Sequence, residues 1–83
     1  MIELYITHRA RYWRKNSKIH RLNGPAVEGL NGYKAWYQNN FRHRLDGPAD
    51  WYDGKPEWWY KGQIINCSSQ EEFERWLKLR LLW

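Results

Sequence analysis

Hydrophobic and polar positions recur along this chain at a fixed interval. Residues 13–26 have the sequence W-R-K-N-S-K-I-H-R-L-N-G-P-A, and residues 36–49 have the sequence W-Y-Q-N-N-F-R-H-R-L-D-G-P-A, with eight identical positions and no gap. The same step of 23 residues, applied once more, reaches Trp59, and the third copy stops where Asn66 replaces the histidine. Self-similarity at a short, fixed period indicates one supersecondary unit stacked on itself.

Alternating apolar residues predict strands before and within the copies. Ile2, Leu4 and Ile6 alternate with more polar residues, which predicts a half-buried N-terminal strand paired with the first copy. A second strand, over residues 10–15, leads into a tight turn. The turn positions of the three copies, all of residue types that tolerate positive φ, are Asn16, Asn39 and Gly62.

Two dipeptides predict hairpins between successive copies. Asn31-Gly32 follows the first copy and Asp53-Gly54 follows the second, and both dipeptides are strong signals for a short hairpin. The second dipeptide arrives one residue early relative to the 23-residue step. We therefore expect a bulge to distinguish the two copies.

The chain after Cys67 has the pattern of a helix. Ser69 and Glu72 have the spacing of a capping box, and acidic residues precede basic ones as the helix dipole favours. The apolar residues Phe73, Trp76, Leu77 and Leu81 fall on one face of a helix. We expect a helix from about residue 70 to the end of the chain, covering one side of the sheet.

These elements together predict an α+β fold, an antiparallel meander of β-hairpin repeats with one C-terminal helix packed on the sheet. The single predicted domain spans residues 1–83, with the N-terminal strand in 1–9, two and a half repeats in 10–66 and the helix in 69–83. The 23-residue register places Trp13, Trp36 and Trp59 on one face. The opposite face, which includes Trp58 and Tyr60, is more apolar and is the predicted partner of the helix.

Composition and charge restrict the class of protein. One cysteine in 83 residues excludes an internal disulfide, and the N-terminus lacks the basic start and apolar run of a signal peptide. No stretch has the length of a membrane span. We therefore expect a soluble, cytoplasmic protein. The net charge of +5 is uneven, because residues 1–44 carry nine Lys and Arg against two acids, while residues 45–83 carry five against seven.

The repeated H-R-x-[ND]-G-P-A segment, followed by N-G or D-G and an aromatic strand, resembles the MORN-like hairpin repeats of small proteins in large tailed phages and giant viruses. The resemblance covers residues 13–66, with departures at Asn40, where glycine is usual, and in the third copy, which lacks H-R. It implies a phage or viral origin and a binding role inside the infected cell, which places the protein in the host cytoplasm.

The residues that could carry chemistry have simpler structural explanations. The pairs His20-Arg21 and His43-Arg44 could hold an anion, but their recurrence favours a packing role in each copy. The three histidines are more than ten residues apart, without metal-ligand spacing. Cys67 has no adjacent base and is best explained as a small buried hydrophobe. We expect no enzyme activity, no metal and no cofactor.

The best functional lead is a basic, aromatic face. Its indoles could stack on bases or anchor a protein, or they could instead form the core. We predict a non-catalytic binding protein that docks on a host defence or gene-expression protein and inhibits it. A nucleic-acid-binding module is the alternative, a membrane surface ranks third, and a homo-oligomer stays open. The predicted face contains Arg9, Arg11, Arg14, Lys15, Lys18, Trp13, Trp36 and Trp59, and a predicted interface with a second copy or the target contains Leu79, Leu82 and Trp83.

Overall fold

The structure, a computed structural model, describes residues 2–81. Its ten strands and one helix are β1 Ile2–Ile6, β2 Ala10–Lys15, β3 Lys18–Ile19, β4 Val27–Gly29, β5 Lys34–Ala35, β6 Tyr37–Gln38, β7 Phe41–Arg42, β8 Asp50–Tyr52, β9 Lys55–Tyr60, β10 Gln63–Ile65 and α1 Gln70–Leu81. Leu82 and Trp83, which were predicted to belong to an interface, lie outside the described residues.

The strands form an antiparallel meander. Seven strands lie in the order β1-β2-β4-β5-β8-β9-β10, β3 pairs with the end of β2, and β6 pairs with β7 as a separate hairpin. The helix follows the last strand. The predicted α+β fold is therefore confirmed. Within residues 2–81, no helix is both long enough and apolar enough to cross a bilayer.

In each complete repeat, the strand changes its pairing partner at a tryptophan, Trp13 in the first copy and Trp36 in the second. The Trp13 N–H donates to the Ala26 carbonyl at 2.9 Å, and the Trp13 carbonyl accepts from the His20 N–H at 3.0 Å. Trp36 makes the same two bonds, with Ala49 at 2.7 Å and His43 at 3.0 Å. The strand therefore changes partner at the tryptophan, pairing with one segment before it and with another after it.

The turns that close the short hairpins have the backbone conformation that the sequence predicts. Asn16 and Ser17 have φ angles of 52° and 65°, and Asn39 and Asn40 have 51° and 73°. Two successive positive φ angles define a type I′ turn, whose twist matches that of the flanking strands. The third copy makes the same turn at Lys61-Gly62, but Lys61 takes the position of Asn39, so the prediction that Gly62 is the equivalent residue is wrong by one position.

The repeat step shortens between the second and third copies. The first connecting hairpin has a three-residue loop at 30–32, closed by a bond of 2.8 Å from the Gly29 N–H to the Tyr33 carbonyl, whereas the second has a two-residue turn at 53–54. The Ala26 N–H bonds to the Ala35 carbonyl, and the equivalent Ala49 N–H bonds to the Glu57 carbonyl, 22 residues later. The expected extra residue of the first copy therefore lies in this loop.

The shorter step corrects the predicted tryptophan face. Trp58, and not Trp59, is in register with Trp36, because the step from the second copy to the third is 22 residues. Side chains alternate between the faces of a strand, so Trp59 lies on the face opposite to Trp13 and Trp36. The prediction that Trp59 shares their face is wrong.

The helix packs on the third copy. Phe73 is fully buried against Trp58 and Ile65, and the partly buried Tyr60 and Trp76 pack around them. Trp58 and Tyr60 were predicted to receive the helix, and this contact is confirmed. Their face is nevertheless the face of Trp13 and Trp36, contrary to the prediction that the helix would cover the other side.

The N-terminal strand is paired but not covered. β1 pairs with β2 along its whole length, as predicted. All five of its residues are exposed, so the predicted half-buried state is wrong. Alternation predicts which side of a strand is apolar, but it cannot predict whether another element packs on that side. The helix lies at the other end of the sheet, on β9 and β10.

Candidate functional site

The repeated arginines are held by contacts within their own copies. The guanidinium carbon of Arg21 lies 3.8 Å from the ring centroid of Trp13, and that of Arg44 lies 3.9 Å from the ring centroid of Trp36. In each copy Nη1 also donates to the carbonyl of the proline four residues later, at 3.1 Å and 3.0 Å. Each arginine therefore stacks on its tryptophan and closes the loop that follows.

The repeated histidines join one copy to the next. His20 Nδ1 accepts a hydrogen bond of 3.1 Å from the Asn39 N–H, and His43 Nδ1 accepts one of 3.0 Å from the Lys61 N–H. Burial lowers the pKa of His43, and the charge of Lys61 lowers it further. The accepting nitrogen must be unprotonated. The geometry therefore supports the packing interpretation of the histidine-arginine pairs over the anion-binding one.

Two of the predicted cations already have partners. Arg11 Nε donates to Glu28 Oε1 at 2.8 Å. Arg14 Nη2 donates to the Ser17 carbonyl at 3.1 Å, and its guanidinium lies over the Tyr5 ring. The remaining three cations are exposed and form no ion pair within residues 2–81; they are Arg9, Lys15 and Lys18.

The predicted tryptophans do not form one open surface. Trp13 and Trp36 are half-buried, with a guanidinium stacked on each ring. Trp59 lies on the opposite face, where its ring centroid is 4.9 Å from the guanidinium carbon of Arg42. The structure therefore brings Trp13 and Trp36 into equivalent positions and separates Trp59 from them. Leu79, of the predicted interface, is 56% exposed.

The strand β1 exposes apolar side chains at the end of the sheet that carries most of the predicted cations. The side chains of Ile2, Leu4 and Ile6 lie on one face, and these residues are 45%, 47% and 73% exposed. Ile6 also lines a depression of about 340 Å³ together with the exposed Leu30. We call residues 2–6 the N-terminal edge.

Within residues 2–81, no strand pairs with the outer side of the N-terminal edge. The Thr7 N–H donates to the Ala10 carbonyl at 2.8 Å, so the backbone of Thr7 points toward β2. Backbone groups alternate in direction along a strand, so those of Glu3 and Tyr5 also point toward β2. The N–H and C=O groups of the three residues with apolar side chains point away from the sheet; these are Ile2, Leu4 and Ile6.

The N-terminal edge lacks the usual protection of edge strands. Natural edges carry lysine, proline or a bulge that blocks pairing with another chain. The only charged residue of β1 is Glu3, on the face opposite to the apolar side chains. Cations flank the apolar strip, because Arg11 and Lys15 lie opposite Ile6 and Ile2 in β2. In the sequence, this feature corresponds to the alternation of Ile2, Leu4 and Ile6 with other residues, with no charged residue at the three apolar positions.

A second feature, missed by sequence reasoning, is a polar cluster in the second copy. Asp50 is only 5% exposed, and its Oδ2 lies 3.0 Å from Arg42 Nε and accepts a bond of 3.3 Å from the Tyr33 hydroxyl. The Arg42 N–H is not directed at Oδ2, so the buried Nε makes no hydrogen bond within the described residues. Burial raises the pKa of Asp50, and Arg42 partly offsets this rise. The first copy has Ile19 and Val27 at the positions of Arg42 and Asp50.

The cysteine is partly buried beside the helix. Burial raises the pKa of the Cys67 thiol, and the charge of Glu72 raises it further. The thiol is therefore held away from the nucleophilic thiolate form. No group of three or more His, Cys, Asp or Glu side chains within residues 2–81 could hold a metal ion.

Comparisons with protein-family models, with curated proteins and with solved structures found no match to this chain. The N-terminal edge is therefore the candidate site on the grounds of its geometry alone.

Proposed function

We propose that the protein is a non-catalytic binding module that docks on another protein by accepting a partner strand at the N-terminal edge. One observation carries this proposal, namely that among the described residues no strand pairs with the outer edge of β1, and that β1 exposes apolar side chains at the same three residues whose backbone groups point outward. Strand addition uses main-chain hydrogen bonds for affinity and alternate side chains for specificity.

The edge offers both kinds of interaction. Three residues present one N–H and one C=O each, and every hydrogen bond made there adds about 0.5–1.5 kcal/mol. The apolar strip of Ile2, Leu4 and Ile6 is removed from water when a partner covers it, which adds to the main-chain term. Such a strand binds tightly only if its own apolar residues face the same side of the sheet.

The charge around the edge favours an acidic partner. Lys15 flanks the apolar strip, and Arg9 and Lys18 are exposed nearby in the sequence, whereas Arg11 at the other end of the strip is paired with Glu28. A positive field speeds the encounter with a negative surface and disfavours basic partners. The partner strand that fits best is apolar on one face and flanked by Asp or Glu. The resemblance to phage repeat proteins makes a host defence or gene-expression protein the proposed target, with inhibition as the proposed effect.

The nucleic-acid alternative has less support from the geometry. Stacking on bases needs open aromatic faces beside free cations. The rings of Trp13 and Trp36 carry stacked guanidinium groups, and Arg11 is paired with Glu28. Nucleic acid is therefore kept as an outcome of the test.

The experiment is a pull-down from bacterial lysate, with and without nuclease treatment, followed by affinity measurement with the purified partner. Leu4→Lys places a charge in the centre of the apolar strip, and Leu79→Lys is the matched control because Leu79 is similarly exposed on the helix. We expect Leu4→Lys to weaken binding at least about tenfold, since burying an unpaired charge costs more than 1.4 kcal/mol. We expect Leu79→Lys to bind normally.

The other outcomes locate the error. Loss of binding with Leu79→Lys alone would move the interface to the helix. A mass of two chains in light scattering that falls to one with Leu4→Lys would make a second copy the partner strand. Capture that nuclease abolishes, together with steep salt dependence of DNA or RNA binding, would replace the proposal by the nucleic-acid alternative.

A further inference from the structure

We propose that the groove between Leu22 and Trp36 is a binding site for a primary carboxamide, the side chain of Asn or Gln in a protein partner. The chain itself fills the equivalent site one copy later, with a residue of its own helix. The site therefore has a template within the same molecule.

The backbone fixes which residues are equivalent. His20 accepts from the Asn39 N–H, and His43 accepts from the Lys61 N–H, so residues 39 and 61 correspond. Trp58 therefore corresponds to Trp36, with the same step of 22 residues. In the loops that follow the histidines the step is 23, so Leu45 corresponds to Leu22.

Gln70 shows what the third-copy site binds. Its Oε1 accepts a hydrogen bond of 2.7 Å from the indole Nε1 of Trp58. Its Nε2 donates one of 2.9 Å to the carbonyl of Leu45 and another of 3.0 Å to Glu74 Oε2. One primary amide thus bridges the indole of one copy and the loop carbonyl of the copy before it.

The corresponding atoms of the second-copy site make no such bonds. Leu22 and Trp36 line one depression of about 630 Å³, together with Arg21 and Arg44. Within residues 2–81, nothing hydrogen-bonds the indole N–H of Trp36 or the carbonyl of Leu22. Both residues line the depression, so a ligand there would displace no hydrogen bond of these two groups within residues 2–81.

The two groups select a primary carboxamide. The ligand must accept a hydrogen bond from the indole and donate one to the carbonyl through one small group, as the Gln70 amide does in the third copy. A primary amide can do so because it offers an oxygen and two N–H groups, one on each side. A backbone amide is trans, with its oxygen and its N–H on opposite sides, and a carboxylate has no donor.

The second-copy site differs from its template in one respect. The guanidinium of Arg44 covers the ring of Trp36, whereas the helix takes that place beside Trp58. The ring face that Arg44 occupies is therefore closed to a ligand, and we infer that the ligand is a single side chain that reaches the Nε1 atom at the edge of the Trp36 indole.

The test uses the full-length protein and the indole N–H signals of its tryptophans in NMR spectra. Trp36→Phe removes one signal and so assigns it; should this variant unfold, through-bond experiments on the native protein make the assignment. The probes are the N-acetyl methylamides of glutamine, glutamate and norleucine, which share their backbone amides and differ only in the side chain.

We expect the glutamine probe to shift the Trp36 indole signal in a saturable manner. The glutamate and norleucine probes should bind at least about fivefold more weakly, the effect of one net hydrogen bond. The Trp58 indole, already bonded to Gln70, should not move. Equal shifts with all three probes, or no shift with any, would overturn the proposal. A stronger response to glutamate would identify an anion site at Arg21 and Arg44 instead.

This inference depends on the proposed function in one respect, namely that the carboxamide belongs to a protein partner. The titration needs no partner, and Leu4 does not line this depression. A failed titration would leave the N-terminal edge untouched, and failure of the Leu4→Lys test would leave this site untouched.

Discussion

The contribution of the Arg42–Asp50 pair to stability can be measured by a double-mutant cycle, because the first copy shows which apolar residues can replace the pair. The first copy solves the same packing problem with Ile19 and Val27. We therefore consider Arg42→Ile, Asp50→Val and the double variant. The double variant gives the second copy the apolar pair of the first, so it tests whether the polar pair contributes net stability.

The exposures of the two side chains set the expected magnitudes. The Asp50 side chain is 7% exposed, so Arg42→Ile leaves a buried carboxylate bonded only to Tyr33. Breaking a buried pair costs 3–5 kcal/mol, and we expect about 2–3 kcal/mol because the pair has access to solvent on one side. The Arg42 side chain is 32% exposed and can turn toward water. Asp50→Val should therefore cost only about 1 kcal/mol.

The double variant should lie within about 1 kcal/mol of the wild type, since replacing a buried ion pair by apolar residues is often neutral. The two single costs would then fail to add by about 2–3 kcal/mol. Urea unfolding at pH 7, followed by tryptophan fluorescence, measures all four proteins. A double variant whose loss equals the sum of the single losses would refute the coupling.

The pH dependence of the same pair gives a second measurement. Burial raises the pKa of Asp50, so the folded state binds this proton more tightly than the unfolded state does. The contribution of Asp50 to stability therefore becomes more favourable as the pH falls through its folded-state pKa, and it levels off below the unfolded value. Relative to wild type, Asp50→Val should lose this gain. The opposite slope would show that Arg42 outweighs burial.

Three further pairs of variants test the repeat and its cap. Lys61 has a φ of 48°, which glycine adopts without strain, so Lys61→Gly should raise the free energy of unfolding by about 0.5–1 kcal/mol. Asn39 lies at the equivalent position, and asparagine tolerates positive φ, so Asn39→Gly should change the free energy of unfolding little. Equal effects of the two variants in chemical denaturation would contradict this. A Cβ at Gly47 would lie 2.7 Å from the guanidinium carbon of Arg44, and a Cβ at Gly24 would lie 3.1 Å from that of Arg21. Gly47→Ala should therefore lower the melting temperature more than Gly24→Ala. The reverse order would show that the stacked arginine is not the cause. Phe73→Ala should lower the free energy of unfolding by about 3–5 kcal/mol because Phe73 is fully buried. Leu79→Ala should lower it by less than about 0.5 kcal/mol because Leu79 is exposed. A loss of less than about 1 kcal/mol for Phe73→Ala in urea unfolding would show that the helix does not cap the third copy.

The local parts of the fold could be predicted because short segments determine them. The turn at Asn16 needs residues that tolerate positive φ, and the helix that begins near Ser69 is determined by its capping residues and apolar spacing. The Ser69 hydroxyl accepts the Glu72 N–H at 3.2 Å, as the capping box predicts. The face of Trp59 was predicted wrongly because the turn at 53–54 lacks one residue that the loop before Tyr33 has, and this difference shifts the register of the strand that follows the turn. The early arrival of Asp53-Gly54 contained that signal.

The candidate site was harder to predict because it depends on what is absent around a strand. The alternation of Ile2, Leu4 and Ile6 is the same whether a strand is covered or exposed. Only the placement of the helix on the third copy leaves the first copy uncovered. The Arg42–Asp50 pair was missed for another reason, since it occurs in one copy only and joins two different strands.

Amide hydrogen exchange in β1, measured residue by residue in the free protein and in the complex with its captured partner, tests the central claim most directly. In the free protein, the amides of Leu4 and Ile6 should exchange rapidly because they point away from β2, while that of Tyr5 should be protected. In the complex, Leu4 and Ile6 should become protected and Tyr5 should change little. Unchanged exchange at Leu4 and Ile6 in a saturated complex would contradict docking at the N-terminal edge.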